Sequence, residues 1–374
     1  MISRVAEHCF WMSRYLERAE NSARILEVNQ TLLLDFELPL DQQWKPLLTI
    51  CGVHDYAASL ESEAVQAFMT WDKENPSSIT SSIAHARENA RIIREIISAD
   101  MWERMNYYYL WMQNQISRHL YENNRSDFYG QIRRINQLLH GIAEGTMLHG
   151  EAWEFFQLGK YLERACQTAR ILDVKYHMVA GLSEPSTFHM ENAHWSAILR
   201  SCSAYEPFHK QHHSLERRLG ASVAEFLVFD PIFPRSVVFC VEQSLQAVHA
   251  ISGNPRSKPK TDVEKMLRQL SDWLQAATID GLMASNLHKG LTHVVDSIHE
   301  IGDACRRTFF DFQREPPAAS QTQEQKGQSQ TQTLLAPMRA GGEDYLLAHQ
   351  YGFAAWCRPL TPNPSPPRGE GSKP

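Results

Sequence analysis

Two stretches of the chain carry acidic, basic and amide side chains at spacings that place them on one side of a helix. In residues 10–28, FWMSRYLERAENSARILEV, these are Arg14, Glu17, Arg18, Asn21 and Arg24; in residues 156–174, FQLGKYLERACQTARILDV, they are Lys160, Glu163, Arg164, Gln167 and Arg170. Side chains three and four apart are neighbours on a helix surface, so Glu17, Asn21 and Arg24 lie within mutual reach. A carboxylate so placed can hold an arginine fork rigid for a ligand carboxylate or phosphate. Two other arrangements fit the same residues. A solvated, salt-laced helix face carries such pairs routinely, each worth about 0.2–0.5 kcal/mol, and an interface between the two stretches would use the charges on each other. A reaction is conceivable too, with Glu17 or Glu163 as acid or base and the arginines on an anionic substrate, but it requires a carboxyl pKa raised by burial.

Further along, ARENAR places Arg87, Glu88, Asn89 and Arg91 between the apolar positions Ala86 and Ala90, followed by Arg94 and Glu95. With its polar side toward a seam between helices, it makes either a network that fixes helix register or a ligand site, and such a network must be fully satisfied to be stable. A third cluster is FDPIFPRS, with Asp230, Pro231, Pro234, Arg235 and Ser236. Proline in a first turn and Asp or Ser at its start are capping chemistry, and Arg235 beside that helix start favours an anion. Metal chemistry has thin support: Glu206 and His209 have a Glu-x-x-His spacing with His213 one turn on, and Asp296 with His299 is a weaker echo. Pro207 interrupts the turn and no second pair answers it, so no metal and no cofactor are expected. No GxSxG elbow, glycine-rich phosphate loop or Cys-His context is present, which disfavours an independent enzyme without excluding one.

The elements that must position these residues are helices. Met12, Leu16, Ala19, Ala23 and Leu26 recur at spacings of three and four, as do Ile79, Ile83, Ala86, Ala90 and Ile93, and Leu158, Leu162, Ala165, Ala169 and Leu172. Such stripes predict helices with one apolar face each, and strand-like alternation is scarce. The densest aromatic run, Trp102 with Tyr107, Tyr108, Tyr109 and Trp111, turns Tyr108 and Trp111 inward with Met101 and Met105 and leaves Tyr107 and Tyr109 for another surface.

The two stretches match without a gap at eleven positions. Two later blocks repeat in the same order. Trp44, Leu47, Leu48 and Cys51 answer Trp195, Ile198, Leu199 and Cys202, and Val65 to Ile79, with Asp72, Pro76 and Ser78, answers Val223 to Val237, with Asp230, Pro234 and Ser236. The expectation is an all-α, duplicated antiparallel helical bundle: a first half at 1–149, a second at 150–313, and loops at Pro39 and Pro185 after each first helix. From 314 to 374 the composition turns polar, glutamine-rich and then proline-rich, without periodicity. That predicts a disordered tail, with a short helix at 345–356 and a last stretch resembling read-through sequence.

A formal charge of −6 is spread with no basic block, which gives nucleic acid and anionic membrane no landing surface. The seven cysteines form no CxxC pair and read as reduced, mostly buried thiols. Charges interrupt the amino-terminal stretch, and nothing approaches the roughly 18 apolar residues of a membrane span, so a cytoplasmic location is expected.

At YLERAENSARIL, at residues 81–106 (SSIAHARENARIIREIISADMWERMN), at residues 149–165 (HGEAWEFFQLGKYLERA) and at residues 226–241 (FLVFDPIFPRSVVFCV), the chain resembles the bacterial alpha-E family. The resemblance covers about residues 1 to 313. It implies an all-helical fold without an assigned activity, in proteins that resemble accessory partners encoded beside ATP-grasp peptide-ligase-like and transglutaminase-like proteins. The expectation is a non-catalytic scaffold or binding subunit for such a partner in peptide synthesis or modification, with a peptide or anionic ligand. An enzyme with a Glu/Arg site between the halves and a ferritin-like metal-binding bundle are the alternatives.

Overall fold

The computed structural model describes residues 3–35, 38–53, 56, 59–180, 187–212, 219–253 and 259–311, and every regular element in them is helical. Pro185, His213 and the expected tail at 314–374 lie outside the described residues. Two long helices organise the rest, α1 (Ser3–Asp35) and, eighth helix after it, α9 (Glu151–Ala180). Between them run α2 (Leu40–Gln43), α3 (Lys45–Ile50), α4 (Ser62–Trp71), α5 (Ile79–Ile92), α6 (Ala99–Gln113), α7 (Gln115–Asn123) and α8 (Arg125–Thr146). After α9 come α10 (Thr187–Ser201), α11 (Tyr205–Gln211), α12 (Leu219–Phe229), α13 (Val237–Ser252), α14 (Asp262–Ala276), α15 (Ile279–Ser285) and α16 (Leu287–Cys305), which ends in a π-helical turn, Arg306–Phe310.

The helix starts follow from local chemistry. Asp72 accepts the Glu74 N–H at 2.8 Å, and Asp230 accepts those of Ile232 and Phe233 at 2.9 and 2.7 Å. Each turn leads into a serine cap. Ser78 accepts the Ser81 N–H and Ser236 the Phe239 N–H, both at 3.1 Å, which satisfies one of the orphan donors at the first turn of α5 and of α13. At the far end of α13, Gly253 takes φ 65°, the left-handed cap position that costs glycine no Cβ clash.

Helix α1 packs against α9, α5, α8 and α10, while α9 packs against α1, α13, α16, α10 and α3. Every residue from 12 to 26 is buried, on all sides of the helix. The stripe pattern foretold an apolar face on α1; burial of the opposite, charged face departs from the solvated arrangement that would leave it in water. Arg14 and Arg24 are among the largest fully buried side chains in the molecule. Apolar side chains form one continuous cluster from Ala6 on α1 to Phe310 in the terminal π turn.

The aromatic run on α6 divides as its spacing foretold except at Tyr109, which packs against the core as Trp111 does. Tyr108 is fully buried and its hydroxyl accepts from Asn136 Nδ2 at 2.7 Å, Trp111 stacks on Phe128 at 5.5 Å between centroids, and Tyr107 stands half exposed. Among the described residues six cysteines are free and buried, and no helix is long and apolar enough to cross a membrane.

Candidate functional site

The site is built where α1 and α9 touch backbone to backbone. A Cβ added to Gly159 would stand 2.3 Å from the Phe10 carbonyl oxygen and 2.4 Å from Ser13 Oγ, so only glycine permits this approach. Ser13 donates its own hydroxyl to Phe10 O at 3.0 Å, which satisfies it within the contact. Ser13 and Gly159 hold matching places in the two aligned stretches. One turn beyond them the Glu-Arg dipeptides meet.

Each dipeptide completes the other. Arg18 donates through Nε to Glu163 Oε1 at 3.0 Å and through Nη2 to Oε2 at 3.2 Å; in the opposite sense, Arg164 Nη2 donates to Glu17 Oε1 at 2.6 Å. Arg14 adds a second fork on Glu163, with Nε and Nη2 at 2.9 and 2.6 Å from Oε2, and Gln167 Nε2 donates to Oε1 at 3.2 Å. Arg235 reaches in from the turn before α13, which Thr168 on α9 anchors by donating to the Arg235 carbonyl at 2.8 Å. Its guanidinium donates to Glu20 Oε1 at 3.0 Å and Asn21 Oδ1 at 3.2 Å, with Glu17 Oε2 at 3.5 Å. Arg24 closes the row on Glu20 and on Asn21 Oδ1, the latter at 2.8 Å. Five guanidiniums, of Arg14, Arg18, Arg24, Arg164 and Arg235, thus hold three carboxylates.

That ratio decides the protonation states. Burial alone would raise the carboxyl of Glu163, but Arg18 and Arg14 hold it well below the usual range. Burial likewise works against Glu17, and Arg164, Arg235 and His140, whose Nε2 lies 3.1 Å from Oε1, override it. Glu20 is lowered against burial by Arg24 and Arg235. Burial and the neighbouring Arg235 push Arg24 down to about 10, which leaves it a cation at neutral pH. A general acid needs the opposite shift, so neither Glu17 nor Glu163 has the raised pKa that a proton-donating role requires.

A pH dependence follows. Carboxylates with depressed folded pKa values contribute stability that is fully present above the unfolded value, about 4.5, and is lost as pH falls toward and through the folded values. Denaturant unfolding in a pH series should therefore give a steady loss below about pH 4.5, continuing into strong acid. A stability that stays level on that acid limb would contradict the charged assignment.

Beside the Glu163 cluster lies a cavity of about 10 Å³, lined by Arg14, Arg18, Gln167, Arg170 and His299, with room for one water-sized molecule. Arg170 meets His299 Nε2 across this cavity at 3.1 Å. Burial and Arg170 push that histidine down to about 3.

Over residues 1–310 the chain matches the model of Alpha-E, described as a predicted alpha-helical domain with a conserved ER motif. The chain belongs to the Alpha-E family. Glu17-Arg18 and Glu163-Arg164 have the form of that motif, and they are the reciprocal centre of the seam. Uncharacterised proteins of Mycobacterium bovis and Mycobacterium tuberculosis are 25% identical over 332 residues, a match covering 82% of this chain and 36% of theirs. The chain thus spans about a third of the length of the curated relatives it matches. No solved structure matches it.

The other residues of the Alpha-E chain singled out by sequence sort differently. Arg91 and Glu88 pair with each other on the surface, about half exposed, and not within a seam. Isolated charges between alanines have the same spacing on a wet face as on a dry one, which is why the sequence pointed inward. Arg87 donates to Asn106 Oδ1 at 3.0 Å and lies over Trp102 and Tyr109, while Asn89 meets His8 Nδ1 at 2.7 Å; these tie α5 to α6 and to α1. Asp230 serves its turn. Arg235 does bind anions, and they are the chain's own Glu17 and Glu20.

Glu206 is exposed on α11, as is His209, and neither belongs to a potential metal cluster among the described residues. The one group there whose ligand atoms converge is Glu17, Glu20 and His140, all within 4.8 Å. A cation would have to displace Arg24, Arg164 and Arg235 from those carboxylates. Sequence reasoning missed Glu20 and His140 as members of the cluster: Glu20 faces Cys166 in the aligned repeat, and His140 stands alone on α8.

Proposed function

We propose that this Alpha-E chain is a non-catalytic helical binding subunit. In this reading it works in the cytoplasm beside an ATP-grasp peptide-ligase-like or transglutaminase-like protein, in peptide synthesis or modification. Its two related halves, 1–149 and 150–313, are joined through the reciprocal Glu-Arg seam. The observation that carries the reading is the consumption of the charges. Glu17, Glu20 and Glu163 are each held by two guanidiniums, and the charges of the two Glu-Arg dipeptides are spent on one another where α1 meets α9 and not on a substrate. What favours a companion protein of some kind is the length of the relatives. They carry most of their length outside the match, so the domain there shares a polypeptide with other material.

Co-purification of the tagged full chain with the ligase-like protein encoded beside it tests the proposal. A stable complex that survives gel filtration is the expected result. Recovery of the chain alone, at low and at moderate salt, would remove the partner from the reading.

A further inference from the structure

The cavity of about 10 Å³ beside Glu163 is walled largely by hydrogen-bond donors. Arg14 and Arg18 come from α1, Gln167 and Arg170 from α9, and Ser22 and Ser77 add hydroxyls. Among the described residues Glu163 is the one carboxylate at the wall, and it already receives Arg18 and Gln167 on Oε1 and Arg14 on Oε2. His299 Nε2 receives Arg170 at 3.1 Å, and burial keeps that ring neutral. Three guanidiniums and one carboxylate therefore surround a space of water-like size. Away from bulk water, such a wall favours an occupant that only accepts hydrogen bonds and carries negative charge.

The aligned stretches point to the same chemistry independently. Glu20 corresponds in them to Cys166, and Arg24 to Arg170. On α1, Glu20 places its carboxylate between the guanidiniums of Arg24 and Arg235. On α9, the much shorter Cys166 lines the cavity, and Arg170 lines it one turn further on. Burial pushes the Cys166 thiol up, so at neutral pH it adds no negative charge. Where the first stretch supplies an anion of its own, the second has a cavity beside the corresponding guanidinium.

We infer that this cavity binds a monatomic inorganic anion, chloride, held by Arg170 with Arg14 and Arg18 in place of the carboxylate that Cys166 replaces. Chloride is only slightly larger than water, whereas phosphate and sulfate exceed a cavity of this volume. Arg170 and His299 are the partly exposed members of the wall, which sets the side from which an ion enters. The bound ion ties α1 to α9 as Glu163 does, and the inference is independent of the binding-subunit reading.

Thermal unfolding of the full chain at constant ionic strength tests it, with sodium gluconate exchanged stepwise for sodium chloride. An ion that binds only the folded state raises the unfolding temperature as its concentration passes its dissociation constant, so chloride should raise it and gluconate should not. Arg170→Gln should require about tenfold more chloride for the same rise, the effect of one lost charge-assisted contact. Cys166→Glu returns a carboxylate to the chain and should abolish the response; if that variant does not fold, Arg170→Gln decides alone. Equal unfolding temperatures in chloride and gluconate would overturn the inference. So would a chloride response that Arg170→Gln leaves unchanged, which would belong to ions at the surface. Stabilisation by sulfate that Arg170→Gln removes would also overturn it, since the site would then take a larger oxyanion.

Discussion

Glu163→Ala should cost the fold about 3–5 kcal/mol, the loss typical when one member of a buried ion pair is removed and the other charge stays inside. Glu163 is 2% exposed and is the acceptor for two arginine forks, Arg14 at 1% and Arg18 at 7%. Alanine leaves both guanidiniums with their charge and without this carboxylate. Glu88→Ala is the comparison: its pair with Arg91 is half exposed, and its removal should leave stability nearly unchanged. Denaturant unfolding of the two variants checks the contrast. Equal effects would mean that the seam contributes nothing a surface pair does not. Adding Arg14→Met and Arg18→Leu to Glu163→Ala should recover much of the loss, because a buried charge cluster exchanged for apolar groups of similar volume is often neutral.

The second large effect belongs to a residue with no side chain. Gly159→Ala should destabilise by about 1–3 kcal/mol, the usual range for overpacking, although alanine is the better helix former. The new methyl would meet the Phe10 carbonyl oxygen at 2.3 Å, and backbone cannot swing aside as a flexible side chain does. Relief requires α1 and α9 to part, and parting lengthens the Arg14 and Arg18 contacts one turn away. The same substitution at Gly141, where an added Cβ meets nothing within 4 Å, should be neutral or stabilising. Thermal unfolding of both variants separates propensity from packing, and a Gly159→Ala variant as stable as Gly141→Ala would show that the helices are not in forced contact.

Much of the fold was legible because helical periodicity needs only local information. The stripes beginning at Met12, Ile79 and Leu158 marked the helices, and the aspartate, proline and serine of the later blocks marked the caps at Ser78 and Ser236. The site was legible in part of its membership, Glu20 and His140 excepted, and not in direction. Arg14, Glu17, Arg18 and Arg24 lie on one side of α1, but whether that side meets water depends on what α9 offers, a fact stored 145 to 149 residues away. The aligned stretch held the complementary charges, yet reading them as partners required the crossing at Ser13 and Gly159. Within-helix spacing suggested that Glu17 would hold Arg24; the structure gives Arg24 to Glu20, and Glu17 to Arg164 and Arg235. Arg87 and Asn89 join helices, while Glu88 and Arg91 pair with each other on the surface.

The span across the seam also sets an order of events during synthesis. Arg14 and Arg18 emerge from the ribosome with the first helix, and the carboxylate they hold lies 149 and 145 residues downstream. At about 5–20 residues per second, that interval lasts roughly 7 to 30 seconds. For that time α1 has a charged face that water must solvate and an apolar face that needs cover. The nascent first helix cannot take up its final surroundings until α9 has cleared the exit tunnel, so translation speed between α1 and α9 bears directly on how long a sticky, half-clothed intermediate exists.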